Sequence, residues 1–316
     1  MPDERQPTAV AFARFAWVAL AFTIAVVLWG AFVRATGSGA GCGAHWPLCN
    51  GEVVPRSPRL ETLIELTHRV TSGLSLLLVV VLWVWARRSV PAGHRVRRAA
   101  LAALLLMLSE ALIGAGLVLF GLVADDRSSV RAFVLALHLT NTFLLLASLA
   151  LTAYFAGRGP AGTSRWRWSG LAGFSVAALA AVLMVGVSGA ITALGDTLFP
   201  AESLRHGFEQ DFGAGSHFLL RMRVWHPVLA LVTSLALAAF AQAQQRRFGA
   251  AVGRLPGLLL GCTMLQLLAG VANVLLLAPV WLQIVHLALA DLVWVSLVVL
   301  AAAALDADTT GPGTMR

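Results

Sequence analysis

Four histidines inside apolar segments are the residues whose type and spacing most clearly suggest chemistry. They are His68, His138, His226 and His286. A single histidine in such a segment is usually a hydrogen-bonded core residue, but hydrogen bonding alone would not demand the same side chain four times. Without converging cysteines or carboxylates, two histidines in each half of the chain are few for zinc. Paired imidazoles on facing helices of a four-helix bundle instead suit haem iron, with one imidazole on each side.

The segment around His68 carries further polar residues on one helical face. They are spaced i, i+3, i+4 and i+7 and comprise Glu65, His68, Arg69 and Ser72. Charged side chains within an apolar segment are costly and usually mark a functional site. The alternative is a Glu65–Arg69 pair that only neutralises itself. The segment around His226 differs at the equivalent positions, where Arg223 replaces the glutamate and Pro227 replaces the arginine. This indicates that the two segments share a haem-binding frame but differ in chemistry.

The composition requires the elements that carry these residues to lie in a membrane. Of 316 residues, 59% are hydrophobic and 12% are charged, and the mean hydropathy is +0.81. A soluble domain has about 25% charged residues. Apolar runs of the length that crosses a bilayer predict an all-α integral membrane protein with eight transmembrane helices. We predict these spans at 12–33, 61–85, 99–121, 131–156, 171–194, 221–243, 257–278 and 280–304.

The basic residues predict the orientation of these helices. The net charge of +8 comes from arginine alone, because the chain has no lysine. The arginines lie between apolar runs, so membrane topology explains them better than nucleic-acid binding does. One side of the predicted membrane protein has 14 of the 23 arginines. The positive-inside rule therefore predicts a multi-pass protein of the cell membrane with both termini in the cytoplasm and all four histidines toward the outer side.

The two halves of the sequence resemble each other. Gly-Ala-Phe-Val at 30–33 corresponds to Gly-Ala-Ile-Thr at 189–192, and Glu110 with Gly114 corresponds to Gln266 with Gly270. The histidines follow the same order, since His226 follows His68 by 158 positions and His286 follows His138 by 148. This pattern predicts two duplicated four-helix bundles in parallel orientation. We assign 1–157 to the N-terminal half and 158–316 to the C-terminal half.

The loop after the first span contains two of the three cysteines. Cys42 and Cys49 are seven positions apart in a glycine-rich segment. On the oxidising side of a membrane, such a pair is expected to form a disulfide. A zinc site formed by Cys42, His45 and Cys49 is the alternative. Cys262 lies inside an apolar run and is expected to be a packed thiol.

The loop and the second span together resemble the haem A synthase family. The motifs are Thr-Gly-Ser-Gly at 36–39, Trp-Pro-Leu-Cys at 46–49 and Glu-Leu-Thr-His-Arg at 65–69. The histidines of the fourth, sixth and eighth spans match as well, and the resemblance covers about residues 12 to 304. The sequence departs from the family at Ala44-His45, where Pro-Asp is common, and at Glu110, where glutamine is frequent.

This resemblance implies an enzyme that oxidises a ring methyl of haem O to the formyl group of haem A. The conversion removes four electrons and four protons, and water can supply the oxygen. By the resemblance, His68 and His138 hold the substrate haem O, and Glu65 handles protons or stabilises a cationic intermediate. His226 and His286 hold a permanent haem b that accepts electrons. Candidates for pairing with haem propionates, with surface anchoring or orientation as the alternative, are Arg69, Arg34, Arg131 and Arg223.

The resemblance also implies partners. Haem O synthase would act upstream, a terminal haem-copper oxidase would receive the product, and an unidentified acceptor would take the electrons. Membrane lipid surrounds the protein, and no nucleic acid is expected. One rival hypothesis is a two-haem b-type cytochrome without substrate chemistry, which leaves Glu65 unused. The second rival is a transporter or haem exporter. It leaves unexplained why all four histidines lie at a similar depth, five to eight residues past the outer ends of their predicted helices.

Overall fold

The computed structural model describes residues 5–158, 166 and 169–310, and the regular secondary structure of that part is helical. It has no strand there beyond an isolated bridge between Cys49 and Glu52. The α-helices are α1 Arg5–Ala35, α2 Leu60–Ser89, α3 Arg95–Leu119, α4 Ser129–Ala156, α5 Gly170–Leu198, α6 Leu204–Phe212, α7 Phe218–Arg223, α8 Trp225–Phe248, α9 Leu255–Leu275 and α10 Val280–Thr310.

Within the described ranges, eight segments are long and apolar enough to cross a membrane, which confirms the predicted eight-helix class. The sixth differs in detail from the uninterrupted run predicted at 221–243. It consists of α7 and α8, which meet at Val224. Pro227 explains the break, because its nitrogen cannot donate to the carbonyl of Arg223 and its ring would clash there. Helix α6 was also not predicted, since its nine residues form a short polar element before the span.

Helices α1 and α4 pack against α5 and α10, so the first four spans adjoin the last four. Helix α10 is central to this contact, and its side chains from Ser296 to Ala304 are buried. The Trp294 indole donates a hydrogen bond to the carbonyl of Phe143 on α4 at 2.6 Å, and the two rings stack. The lipid-facing sides of the other helices expose many leucine and valine side chains, as a bilayer solvent requires.

Candidate functional site

The four histidines lie near one end of the helical bundle. Helices α2, α4 and α10 and the α7–α8 segment all begin at this end, and each has its histidine within its first ten residues. The loop with Cys42 and Cys49 connects α1 to α2 at the same end. We call it the disulfide end. The arrangement follows from alternating helix direction, which puts the first residues of alternate spans on one side.

Each histidine ring packs against a glycine of the preceding spanning helix. A Cβ atom built on Gly30 would lie 2.8 Å from Cε1 of His68, and one on Gly189 would lie 2.9 Å from Cε1 of His226. The corresponding distances are 3.9 Å from Gly114 to His138 and 3.2 Å from Gly270 to His286. The glycines therefore allow the imidazoles to approach a neighbouring backbone. This contact recurs four times in the order that the sequence repeat suggested.

The separation of His226 and His286 fits two ligands of one metal. Their ring centres are 6.4 Å apart and the ring planes are nearly perpendicular. Two imidazoles on opposite sides of one metal, each bound at about 2.0–2.1 Å, have their centres about 6 Å apart. Nδ1 of His226 lies 3.0 Å from the Ser188 hydroxyl, which leaves Nε2 free to bind iron. In His286, Gln266 contacts Nε2 at 3.2 Å and Nδ1 has no hydrogen-bond partner. Gln266 therefore contacts the nitrogen that would bind iron, and its amide has to move aside when a haem is held there.

His138 has a carboxylate neighbour instead of an amide. Oε1 of Glu110 lies 3.4 Å from Nδ1 of His138, and the two do not align as a hydrogen bond. The amide of Asn141 donates to Oε2 of Glu110 at 2.5 Å, and the hydroxyl of Thr142 donates to Oε1. His138 and Glu110 are also among the ionisable neighbours of His68. These contacts give the N-terminal histidine pair a negatively charged partner.

The donor set fits haem better than a metal ion bound by protein side chains alone. Among the described residues, no group of three or more His, Cys, Asp or Glu side chains could hold a metal ion. Haem needs only the two axial ligands that a histidine pair supplies, because its macrocycle provides the other nitrogens. The alternative zinc site has no thiolates to offer, since Cys42 and Cys49 are joined in a disulfide.

Glu65 connects α2 to the disulfide loop. Its carboxylate is buried with 3% exposure and forms an ion pair with Arg69, one turn further along the helix. The other oxygen, Oε2, accepts a hydrogen bond from the backbone N–H of Cys42 at 2.8 Å. The pair considered as an alternative to a catalytic role is therefore present. It also holds the loop, because Arg69 donates to the carbonyls of His45 and Leu48, each at 2.6 Å.

The disulfide loop packs closely on the start of α2. The predicted disulfide between Cys42 and Cys49 is confirmed, and both residues are buried. The hydroxyl of Thr62 donates to the carbonyl of Gly41 at 2.8 Å. A Cβ atom on Gly41 would lie 2.5 Å from the carbonyl group of Glu61, so only glycine allows this approach. The loop thus covers the disulfide end of α2 above His68.

The other three arginines considered for propionate pairing also have protein partners. Arg131 donates to the carbonyls of Ala124 and Asp126 at 2.6 and 2.8 Å. Arg223 forms ion pairs with Asp196 at 3.2 Å and with Asp211 at 3.7 Å. Burial raises the pKa of Asp211, and the charge of Arg223 opposes that shift. Arg34 donates to groups on α5 and α10. Propionate pairing by Arg69, Arg34, Arg131 and Arg223 stays a prediction.

Sequence reasoning missed several partners of the histidines. Ser188 had no signal in the sequence, because a serine in an apolar helix is common. Glu110 and Gln266 recurred in the repeat, but only the structure shows that both contact a histidine. Asp291 is fully buried, and neither of its carboxyl oxygens has a hydrogen-bond partner. Cys262 is buried with a free thiol, as expected.

Comparison with known proteins identifies relatives of the chain. A family model described as cytochrome oxidase assembly protein, COX15-CtaA, matches residues 13–298. The "Protoheme IX farnesyltransferase" of Thermus thermophilus is 50% identical over 303 residues, which are 93% of this chain and 48% of that protein. The "Heme A synthase" of Alkalihalophilus pseudofirmus is 40% identical over 131 residues, which are 42% of this chain and 41% of that protein. That of Geobacillus kaustophilus is 39% identical over 138 residues. The chain spans about half the length of the Thermus relative.

Proposed function

The chain belongs to the COX15-CtaA family of cytochrome oxidase assembly proteins, and we propose that it oxidises a methyl group of haem O to the formyl group of haem A. Relatives named "Heme A synthase" support this proposal, as does the arrangement of the four histidines. One structural observation carries it. The two histidine pairs share a glycine-packed frame, but among the described residues a carboxylate contacts a histidine of the N-terminal pair alone.

In this proposal, the N-terminal half binds the substrate. His68 and His138 hold the iron of haem O, and the glycines at 30 and 114 leave room for the two imidazoles. Glu110 lies beside Nδ1 of His138 and would orient this imidazole so that Nε2 is available to the iron. The disulfide loop excludes water from above His68, because Arg69 and Glu65 hold its backbone against α2.

Glu65 is the residue proposed to act on the reacting methyl group. It lies three residues before His68, at nearly one helical turn, and such neighbours are about 5–6 Å apart at their Cβ atoms. Oε2 accepts a single hydrogen bond, so it retains a lone pair for a proton or for a developing positive charge. Arg69 fixes the carboxylate in position and keeps its charge compensated until the substrate arrives. The overall reaction adds the oxygen of one water and releases four protons and four electrons.

The C-terminal half is proposed to hold a permanent haem b between His226 and His286. When bound, this group supplies one-electron redox chemistry. Ser188 orients His226, and Gln266 contacts His286. Arg223 stands where Glu65 stands in the other half and cannot serve as a base at any reachable pH. These residues therefore suit electron transfer better than oxidation of a substrate.

We also propose which reactions supply the substrate and use the product. The Thermus relative is named for farnesyl transfer to protohaem IX, and this chain matches about half of it. We propose that such a transfer, catalysed by a haem O synthase, supplies the substrate. A terminal haem-copper oxidase would receive haem A, and a separate acceptor would take the electrons. The arginine distribution favours cytoplasmic termini and an outward-facing disulfide end.

Analysis of the bound haems tests this proposal against the cytochrome alternative. The protein is expressed with and without a haem O source, purified, and its haems are extracted and separated by chromatography. We expect haem A or its hydroxylated precursor only when haem O is supplied. Haem b alone under both conditions would contradict the enzyme and favour the two-haem cytochrome.

A further inference from the structure

The residues that contact the second histidine of each pair differ in charge. Glu110 on α3 faces His138, and Gln266 occupies the equivalent position on α9 and faces His286. The carboxylate lies 3.4 Å from Nδ1 of His138, whereas the amide lies 3.2 Å from Nε2 of His286, whose Nδ1 has no hydrogen-bond partner. One partner is a carboxylate, and the other is a neutral amide.

The surroundings of Glu110 fix its position. The Asn141 amide donates to one carboxylate oxygen and the Thr142 hydroxyl donates to the other. Asn141 is itself held by the Ser109 hydroxyl, which donates to its Oδ1 at 2.6 Å. The carboxyl group therefore lies at a defined position beside Nδ1 of His138.

A carboxylate that accepts the Nδ1 proton of a metal-bound histidine makes that histidine a more basic ligand. A more basic axial ligand stabilises oxidised iron, and hydrogen bonding around axial ligands is one of the means by which proteins set haem potentials. An amide carries no charge and has a much weaker effect. The two halves would then bind iron at different potentials although their ligands are the same.

We infer that Glu110 is a positioning residue that lowers the reduction potential of iron bound by His138 below that of iron bound by His286. This inference rests on the proposed function. It gives the difference between the halves a direction, because electrons released in the N-terminal half would pass toward the higher potential of the C-terminal half. Glu110 acts through His138 and need not touch the substrate.

Reciprocal substitutions test the inference, with protohaem IX as the probe. Glu110→Gln removes the carboxylate beside Nδ1 of His138, and Gln266→Glu adds a carboxylate beside the imidazole of His286. Each is combined with a ligand variant, His226→Ala or His68→Ala, so that only one half binds haem. Reduction potentials are then measured by optical redox titration, and haem content and thermal stability are recorded alongside.

We expect Glu110→Gln to shift the potential of the N-terminal haem upward and Gln266→Glu to shift that of the C-terminal haem downward. Unchanged potentials with normal haem content would overturn the inference and leave the proposed function intact. If the N-terminal half of the His226→Ala protein binds no haem, the ligand assignment itself fails and the inference fails with it. If Glu110→Gln loses its haem, Gln266→Glu decides, because its unchanged potential would overturn the inference.

Discussion

The guanidinium of Arg34 at the end of α1 donates a hydrogen bond to Oε1 of Gln283 on α10 at 3.0 Å, across 249 positions of sequence. Its other terminal nitrogen donates to the carbonyl of Ala193 and to the hydroxyl of Thr197 on α5, both at 2.7 Å. Gln283 precedes His286 by three residues, as Glu65 precedes His68. An arginine of the first half is therefore anchored beside the histidine site of the second.

Replacing Arg34 with glutamine should weaken the contact between the halves. Hydrogen bonds to charged groups contribute about 1.5–3 kcal/mol each, and the shorter side chain cannot reach all three acceptors. We expect a lower thermal unfolding midpoint in detergent for Arg34→Gln, whereas Arg59→Gln, which changes an exposed arginine at the same end, should have little effect. Equal midpoints for the two variants would show that the Arg34 contacts do not hold the halves together.

Glycine-to-alanine substitutions should separate the close histidine contacts from the looser ones. In Gly189→Ala the new methyl group would lie 2.9 Å from the His226 ring and must displace it. We expect loss of the bis-imidazole haem b spectrum, as for His226→Ala. Gly114→Ala, with 3.9 Å to His138, and Gly73→Ala, with no atom within 4 Å, should keep their spectra. An unchanged spectrum in Gly189→Ala would contradict this ligand position.

The histidine sites were predictable from sequence to the level of helix and depth. Hydropathy predicted the eight spans, and the internal repeat related His68 to His226 without any structural information. The sequence pattern could not show which residues each side chain contacts. Arg34 was considered for propionate pairing, and its contacts with α5 and α10 depend on tertiary packing that the sequence does not show.

The hydropathy pattern also could not predict local breaks in the helices. The run around Arg223 is apolar enough to read as one span, although Pro227 interrupts its hydrogen bonding. The short helix α6 has an apolar stripe, formed by Leu204, Phe208 and Phe212, that is too short to predict from composition. The Glu65–Arg69 pair, in contrast, was foreseen from its i, i+4 spacing.

His94 should make the stability of the protein depend on pH. It caps α3, where its Nδ1 accepts a hydrogen bond from the backbone N–H of Val96 at 3.3 Å. Burial lowers the pKa of His94, and the charges of Arg95 and Arg98 lower it further. The unfolded chain, with a pKa of about 6.5, therefore binds the proton more readily than the folded protein. Stability should be lost as the pH falls through that unfolded value toward the lower folded one.

The matched variant for this effect is His94→Asn, because asparagine also caps helices but does not titrate. We expect the thermal midpoint of the wild type to fall more between about pH 8 and pH 5.5 than that of His94→Asn. His45→Asn, at an exposed histidine, should behave as the wild type. The account of His94 fails if His94→Asn and wild type lose the same stability over this range.

The proposed division of roles assigns substrate oxidation to the N-terminal half and electron transfer to the C-terminal half. Its most direct test is the haem content of Glu65→Gln. This variant keeps the shape of the side chain but removes its charge and its capacity to accept a proton. The protein is co-expressed with a haem O source, and its extracted haems are separated by chromatography. Glu61→Gln, at an exposed glutamate one turn away on α2, is the control and should make haem A at the wild-type level. We predict that Glu65→Gln folds, keeps haem b and binds haem O but makes little or no haem A. Wild-type amounts of haem A would contradict a catalytic Glu65, and loss of all haem would show that Glu65 only holds Arg69 and the disulfide loop in place.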